Sequence, residues 1–348
     1  YCNKSEIKLA FLGGSVTTGY MPNGEILKDA FPNKIVSRLE KTFPNKKITP
    51  MYLGCSGTRS IMGITTTELL LKDFLPDMVF LDYAINEEIS PSGINAFEGL
   101  VRKLLNLESH PDVFPVAVFL KDGYSCDEFM TLISKHYNLY MCGLKNGFYK
   151  LFQNKTLDWN KYSMDQGHPH EIGHKLISDC VGYMLDKAIS EPKENMPIKL
   201  PPPITSNTFE DIGLLFPFGF TNKNSSVLTD SPISQKNIKT NFTIQDNPLI
   251  LFRKVLKCSK NQYLRYEGNF STCFVIYTID NSKAYGNVRI SVNGRHVETL
   301  QGSSIFGWKN PCGKLVFNQK EKGFHKLEIT MEDSGRQEEF YFLAIGIG

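Results

Sequence analysis

Through the first half of the chain, short continuous apolar runs alternate with stretches in which apolar residues recur at helical spacing. The run Leu9-Ala10-Phe11-Leu12 reads as a buried strand closed by Gly13 and Gly14. Residues 26–43 then carry Leu27, Phe31, Ile35, Val36 and Leu39 at helical spacing, with Lys and Glu between them. Further strands are expected over 48–53, 78–85, 113–120 and 139–142, and further helices over 65–74, 94–107 and 127–137. A last helix is expected from about 175 to 188, with Leu176, Ile177, Cys180, Val181, Met184 and Leu185 on its core face. This alternation predicts an α/β unit, a parallel sheet with helices on both faces.

Past residue 190 the pattern changes. Glu191-Pro192-Lys193, Pro197 and Pro201-Pro202-Pro203 form a polar, proline-rich connector that cannot continue a helix. Beyond it the apolar runs are β-like, over 249–255, 273–278, 288–292, 314–317, 326–331 and 340–345, and no helical periodicity separates them. Val288-Arg289-Ile290-Ser291-Val292 alternates as a half-buried strand does, and Asn293-Gly294 after it is a tight hairpin signal. The apolar end at 342–347 is expected to be tied into the sheet. The reading is an α/β domain over 1–190, a linker over 191–203, and a jelly-roll-like antiparallel β-sandwich over 204–348.

Composition adds exclusions. At 348 residues the chain suits two domains, and its 41% hydrophobic content is ordinary for a globular protein. A net charge of +3 with scattered Lys and Arg gives no argument for nucleic acid. No apolar run reaches membrane-spanning length, so no membrane partner is expected. The eight cysteines show no C-x-x-C spacing, so no zinc or redox motif is expected, and no other motif calls for a metal or cofactor. Cys55 and Cys142 read as buried free thiols, which leans towards a reducing, cytoplasmic compartment. The start at Tyr1 leaves a processed N-terminus, and hence secretion, open. Sequons at Asn3, Asn154, Asn224, Asn241 and Asn269 matter only on a eukaryotic secretory route.

Candidate chemistry lies at the turns. Ser15 follows Gly13-Gly14 at the C-terminal end of the first strand, where open α/β sheets put their ligands. The stretch is not a phosphate loop, since Tyr20 and not lysine follows Gly19. It is not G-x-S-x-G either, since Thr17 stands where the last glycine belongs. Alone, Ser15 is equally readable as a turn serine or a helix N-cap. Post-strand turns also carry Gly57 and Asn86, and a loop with Asp165 and His168 precedes the last helix. Together these residues supply the parts of acyl transfer. Ser15 would be the nucleophile, His168 its base and Asp165 the group that orients the imidazole. The N–H groups of Ser15 and Gly57, with the Asn86 side-chain amide, would bind the oxyanion.

Gly13-Gly14-Ser15-Val16, Gly54-x-x-Gly57-Thr58, Ala84-Ile85-Asn86-Glu87 and Asp165-x-x-His168-Pro169 resemble, in order, the four blocks of the SGNH (GDSL-type) hydrolase family. The resemblance covers about residues 7–188. It implies a flavodoxin-like three-layer sandwich and a serine esterase mechanism without metal. Gly14 and Glu87 each stand where that family commonly has aspartate, which argues against its lipolytic branch. The order of esterase domain and β-sandwich resembles two-domain carbohydrate acetylesterases acting on mannan or xylan. That implies an acetylated carbohydrate as substrate and a second domain similar to a carbohydrate-binding module. A lipid or thioester acylhydrolase, and a binding protein on an inactive scaffold, are the alternatives.

Other residues near these blocks divide between site and scaffold. Trp159 and Trp308 are candidates for lining the cleft and for a sugar platform. His174 is expected to pack or cap, and His170 to lie on the surface. Asp82 and Tyr83 read as structural, Arg59 as a solvated loop charge, and Glu87 with Glu88 as a polar rim.

Overall fold

In the computed structural model, residues 4–191, 199–205, 209–215, 220–222, 225–229, 237–247, 252, 254–305 and 307–348 are described. They divide into one unit of residues up to 208 without 64–69, and a second of 209–348 with 64–69.

The first unit is built on parallel strands β1 (Glu6–Gly13), β2 (Lys47–Gly54), β3 (Met78–Asp82), β4 (Asp112–Ala117) and β5 (Cys142–Gly143), in the order β2-β1-β3-β4-β5. The order reverses at β1, so the crevice between the C-terminal ends of β1 and β3 is the switch point of the sheet. The registers Phe11↔Tyr52, Phe11↔Phe80 and Phe80↔Phe114 put four aromatic rings in one row across neighbouring strands. Phe11 stacks on Phe80 at 4.8 Å and Phe80 on Phe114 at 5.3 Å. Such pairs add about 0.5–1.5 kcal/mol each beyond the area they bury.

The helices are α1 (Ser15–Thr18), α2 (Phe31–Thr42), α3 (Ser60–Leu71), α4 (Pro91–Leu105), α5 (Asp127–His136), α6 (Lys145–Gln153), α7 (Trp159–Tyr162) and α8 (Glu171–Ser190). Helices α2 and α8 press Phe31, Ile35, Leu39, Ile177, Val181 and Leu185 onto the face that carries the aromatic row. Helices α4 and α5 pack on β4 and on each other, burying Leu100, Leu104, Met130 and Ile133.

Several element boundaries differ from the sequence reading. Helix α2 starts at Phe31 and not at 26, because Pro32 needs no N–H partner in a first turn and fixes the start there. Strand β3 stops at Asp82, where the N–H groups of Asn86 and Glu87 turn back to the carbonyl of Tyr83. Helix α3 begins at Ser60, and helix α8 at Glu171 with the His170 ring as its cap. Helices α6 and α7 were not anticipated.

Part of the proline-rich connector, 192–198, lies outside the described residues. Its end, from Pro201 to Thr205, is tied to α4. Glu98 accepts from the N–H groups of Ile204 (2.7 Å) and Thr205 (2.9 Å), and Arg102 donates to the carbonyl of Pro201 at 2.7 Å. The Tyr137 hydroxyl completes this buried network by donating to Glu98 at 2.7 Å.

The second unit comprises β6 (Gly213–Leu215), β7 (Phe220–Asn222), β8 (Ser225–Thr229), β9 (Ile238–Thr240), β10 (Thr243–Asp246), β11 (Lys254–Cys258), β12 (Tyr263–Asp280), β13 (Asn287–Val292), β14 (Arg295–Gln301), β15 (Trp308–Met331) and β16 (Phe340–Ile347). Strands β7 and β8 form a hairpin, and the rest form one antiparallel sheet in the order β10-β11-β16-β12-β15-β13-β14, with β6 on β16 and β9 on β12. Register shifts near Phe270 and Cys273 bend the long pair β12 and β15, and one core of Leu264, Phe270, Val275, Ile290, Leu327 and Phe342 lies within the unit. The sequence reading caught only the apolar parts of these two strands. In the first half of β12, buried Leu264, Tyr266 and Phe270 alternate with exposed Arg265, Glu267 and Asn269. Residues 249–251 and 253 of the strand expected at 249–255 lie outside the described residues, as do Cys2 and the sequons at Asn3 and Asn224.

Candidate active site

Ser15 is the first residue of α1, directly after β1, and is almost fully buried. Its backbone is held by the N–H of Tyr20 and the hydroxyl of Thr18, both of which donate to its carbonyl, at 3.0 and 2.8 Å. Its neighbour Gly14 bonds through its N–H to the carbonyl of Asp82 at 3.1 Å. Behind the turn, Thr17 donates to the buried carboxylate of Asp82 at 2.9 Å. The serine is therefore pinned to the ends of β1 and β3.

The loop between α7 and α8 brings the other two groups. His168 Nε2 lies 3.0 Å from Ser15 Oγ, and His168 Nδ1 lies 2.6 Å from Asp165 Oδ2. Asp165 Oδ1 accepts from the N–H groups of Gly167 (2.8 Å) and His168 (2.7 Å). Burial pushes the Asp165 carboxyl up, but these bonds and the His168 ring outweigh it and hold it below the usual carboxylate range. Ser163 donates to the carbonyl of His168 at 2.8 Å, and the ring of Tyr20 stands edge-on to the imidazole at 5.2 Å. An ionised carboxylate on Nδ1 leaves Nε2 as the acceptor facing the serine hydroxyl.

The turns after β2 and β3 flank the serine's strand. Gly57 has φ of +72°, a left-handed conformation that disfavours a side chain. Asn86 places its amide against Gly14: a Cβ there would lie 2.9 Å from Oδ1 and 3.1 Å from Nδ2. The absence of a side chain at 14 is thus what lets the Asn86 amide approach the peptide preceding Ser15.

Three expectations need correction. Glu87 is no polar rim: it is 3% exposed, and its Oε2 accepts from the N–H of Ser60 at 2.8 Å and from the Ser60 hydroxyl. Burial raises its pKa, against those hydrogen bonds. Arg59 is the solvated loop charge expected, its side chain 40% exposed and paired at the surface with Glu88. Trp159 does not face a cleft. It packs among Phe119, Phe152 and Tyr162, and its indole N–H donates to the carbonyl of Asp165 at 2.7 Å. Cys142 is buried as expected but Cys55 is only half-buried. Trp308, in the second unit, is 55% exposed. His174 is buried, accepts from the N–H of Phe31 at 3.2 Å, and burial pulls its pKa down to about 4. Tyr83 is fully buried scaffold.

Among the described residues no cluster of His, Cys, Asp and Glu could hold a metal ion, and no helix is long and apolar enough to cross a membrane.

No family model and no curated protein matches the chain. Solved structures match it over almost its whole length. A two-domain esterase active on acetylated mannans, co-crystallised with mannopentaose, is 22% identical, with a TM-score of 0.81 over 98% of this chain and 90% of its own. A further structure of a two-domain esterase active on acetylated mannans is 21% identical, with a TM-score of 0.82 over 98% of this chain and 91% of its own. A catalytic mutant of an acetylxylan esterase from Geobacillus stearothermophilus, 18% identical, covers 51% of this chain and 94% of its own at a TM-score of 0.44. The fold of this chain is therefore that of the two-domain esterases, an α/β unit followed by an antiparallel β unit.

Proposed function

We propose that this protein is an SGNH-type serine esterase that removes O-acetyl groups from a polysaccharide or oligosaccharide, of mannan or xylan type, through an acyl-enzyme. The observation that carries the reading is the continuous relay from Ser15 Oγ through His168 to Asp165, at 3.0 and 2.6 Å. The fold shared with two-domain esterases active on acetylated mannans supports the choice of substrate class.

On this reading His168 takes the Ser15 proton as Oγ attacks the acetyl carbonyl. The oxyanion of the tetrahedral intermediate is met by the N–H groups of Ser15 and Gly57 and by the Asn86 amide; one such donor is worth on the order of 100–1000-fold in rate. Collapse of the intermediate breaks the bond to the sugar oxygen, and His168 returns its proton to that leaving alcohol. Water, deprotonated by His168, then attacks the acetyl-serine, and acetate leaves with Ser15 restored. Asp165 stays ionised and stabilises the imidazolium in both halves. Residues 1–190 carry the chemistry, and 204–348 act as a carbohydrate-binding-module-like domain, with exposed Trp308 as a stacking face for sugar.

The test is acetate release from acetylated mannan, acetylated xylan and acetylated peptidoglycan fragments, with p-nitrophenyl acetate and a long-chain ester alongside. Release from one polysaccharide supports the reading and names the substrate. Activity only on the long-chain ester moves it to lipid chemistry, and no activity anywhere points to an inactive scaffold.

A further inference from the structure

Gly57 and Asn86 reach the proposed oxyanion from separate turns, after β2 and β3. Donors on separate loops need a tie between the loops, because a misplacement of about 1 Å can cost on the order of 100-fold in rate. Glu87 spans that gap. On one side it is the residue next to Asn86, and its N–H bonds the carbonyl of Tyr83 at 2.9 Å. Its own carbonyl accepts from the Tyr124 hydroxyl and, at 3.4 Å, from the Cys126 thiol. On the other side its carboxylate takes both the N–H, at 2.8 Å, and the hydroxyl of Ser60, the residue that opens α3 just after Gly57-Thr58-Arg59. Its second oxygen accepts from the N–H of Glu88 at 3.2 Å. A carboxyl group this buried is tolerated only where hydrogen bonds meet it, and here they come from the loop it has to hold.

We infer, resting on the esterase reading above, that Glu87 is a positioning residue. Its carboxylate locks the Gly57 loop against the Asn86 turn so that both donors meet one oxyanion. It touches no substrate and moves no proton.

The experiment is kcat and KM for p-nitrophenyl acetate, with thermal unfolding, in wild type, Glu87→Ala, Glu87→Gln, Asn86→Ala and the double variant Asn86→Ala/Glu87→Ala. Glu87→Ala is expected to lower kcat about 10–100-fold with KM within about twofold, as for an effect confined to the transition state. Glu87→Gln keeps an acceptor for Ser60 and is expected to restore kcat to within about threefold of wild type. In the Asn86→Ala background the Glu87→Ala loss is expected to shrink at least about threefold, since one of the two donors it aligns is gone. If Glu87→Ala does not fold, Ser60→Ala carries the test, with kcat lowered several-fold at unchanged KM. A folded Glu87→Ala with wild-type kcat, or losses that multiply fully with Asn86→Ala, overturns the inference while leaving the esterase reading intact. A wild type without Ser15-dependent hydrolysis overturns that reading, and the inference with it.

Discussion

The indole N–H of Trp159 donates to the main-chain carbonyl of Asp165 at 2.7 Å, so a buried tryptophan sets the height of the loop that carries both Asp165 and His168. Trp159→Phe keeps much of the aromatic packing with Phe119, Phe152 and Tyr162 but deletes the donor. The expected cost is about 1 kcal/mol of stability for the lost hydrogen bond. A fall in kcat of about tenfold is expected with it, because the relay geometry loosens. Urea unfolding and steady-state kinetics on p-nitrophenyl acetate check both. An unchanged kcat would separate the indole from the catalytic loop.

Gly14 makes room for Asn86. A methyl group at Gly14 would sit 2.9 Å from Asn86 Oδ1, the end of a side chain that can move away. Gly14→Ala is therefore expected to fold with a stability change under about 1 kcal/mol while kcat falls on the order of 100-fold, as for loss of an oxyanion donor. A variant that folds and turns over like wild type would detach Asn86 from the chemistry.

Asp82 links the catalytic turn to pH. Burial raises its carboxyl to about 7, with the Thr17 hydroxyl pulling the other way, and its Oδ1 is buried without a hydrogen-bond partner in the structure. The folded state then binds a proton that the unfolded chain has released, since an unfolded aspartate titrates near about 3.9. Its contribution is fully present below that unfolded value and is lost as pH rises to about 7. Asp82→Asn removes this term. The stability of wild type relative to Asp82→Asn should fall by at least about 1 kcal/mol between pH 5 and 8, read from urea midpoints. Asp165 has the opposite sign: its depressed pKa gives stability that is lost only as pH falls through the folded value, below that window. A flat difference between the two proteins would contradict a protonated Asp82.

The sequence made the grouping of Ser15, His168 and Asp165 legible because its members depend on position in the chain more than on packing. Ser15 had to follow a strand and a pair of glycines, and Asp165 and His168 had to share a loop before the last helix. Glu87 was misread because a glutamate on a turn is ordinarily solvated. Its carboxyl instead lies buried against Ser60, 27 residues away in the chain. Trp159 was misread for the converse reason: an aromatic near a catalytic loop suggests a wall, whereas Phe119 and Phe152 claim its faces. Helix α7 is a single turn, too short for a periodicity to register. In the first half of β12 the polar outward residues hid a strand whose inward residues alternate with them.

The central claim is that Ser15 carries the acetyl group between sugar and water. The direct measurement is acid quenching during turnover of p-nitrophenyl acetate, followed by peptide mass mapping of wild type and Ser15→Ala. The account predicts one added acetyl group on the wild-type peptide containing Ser15, none on the variant, and a loss of acetate release in the variant of at least about 1000-fold. Acetate release by folded Ser15→Ala at the wild-type rate would contradict it.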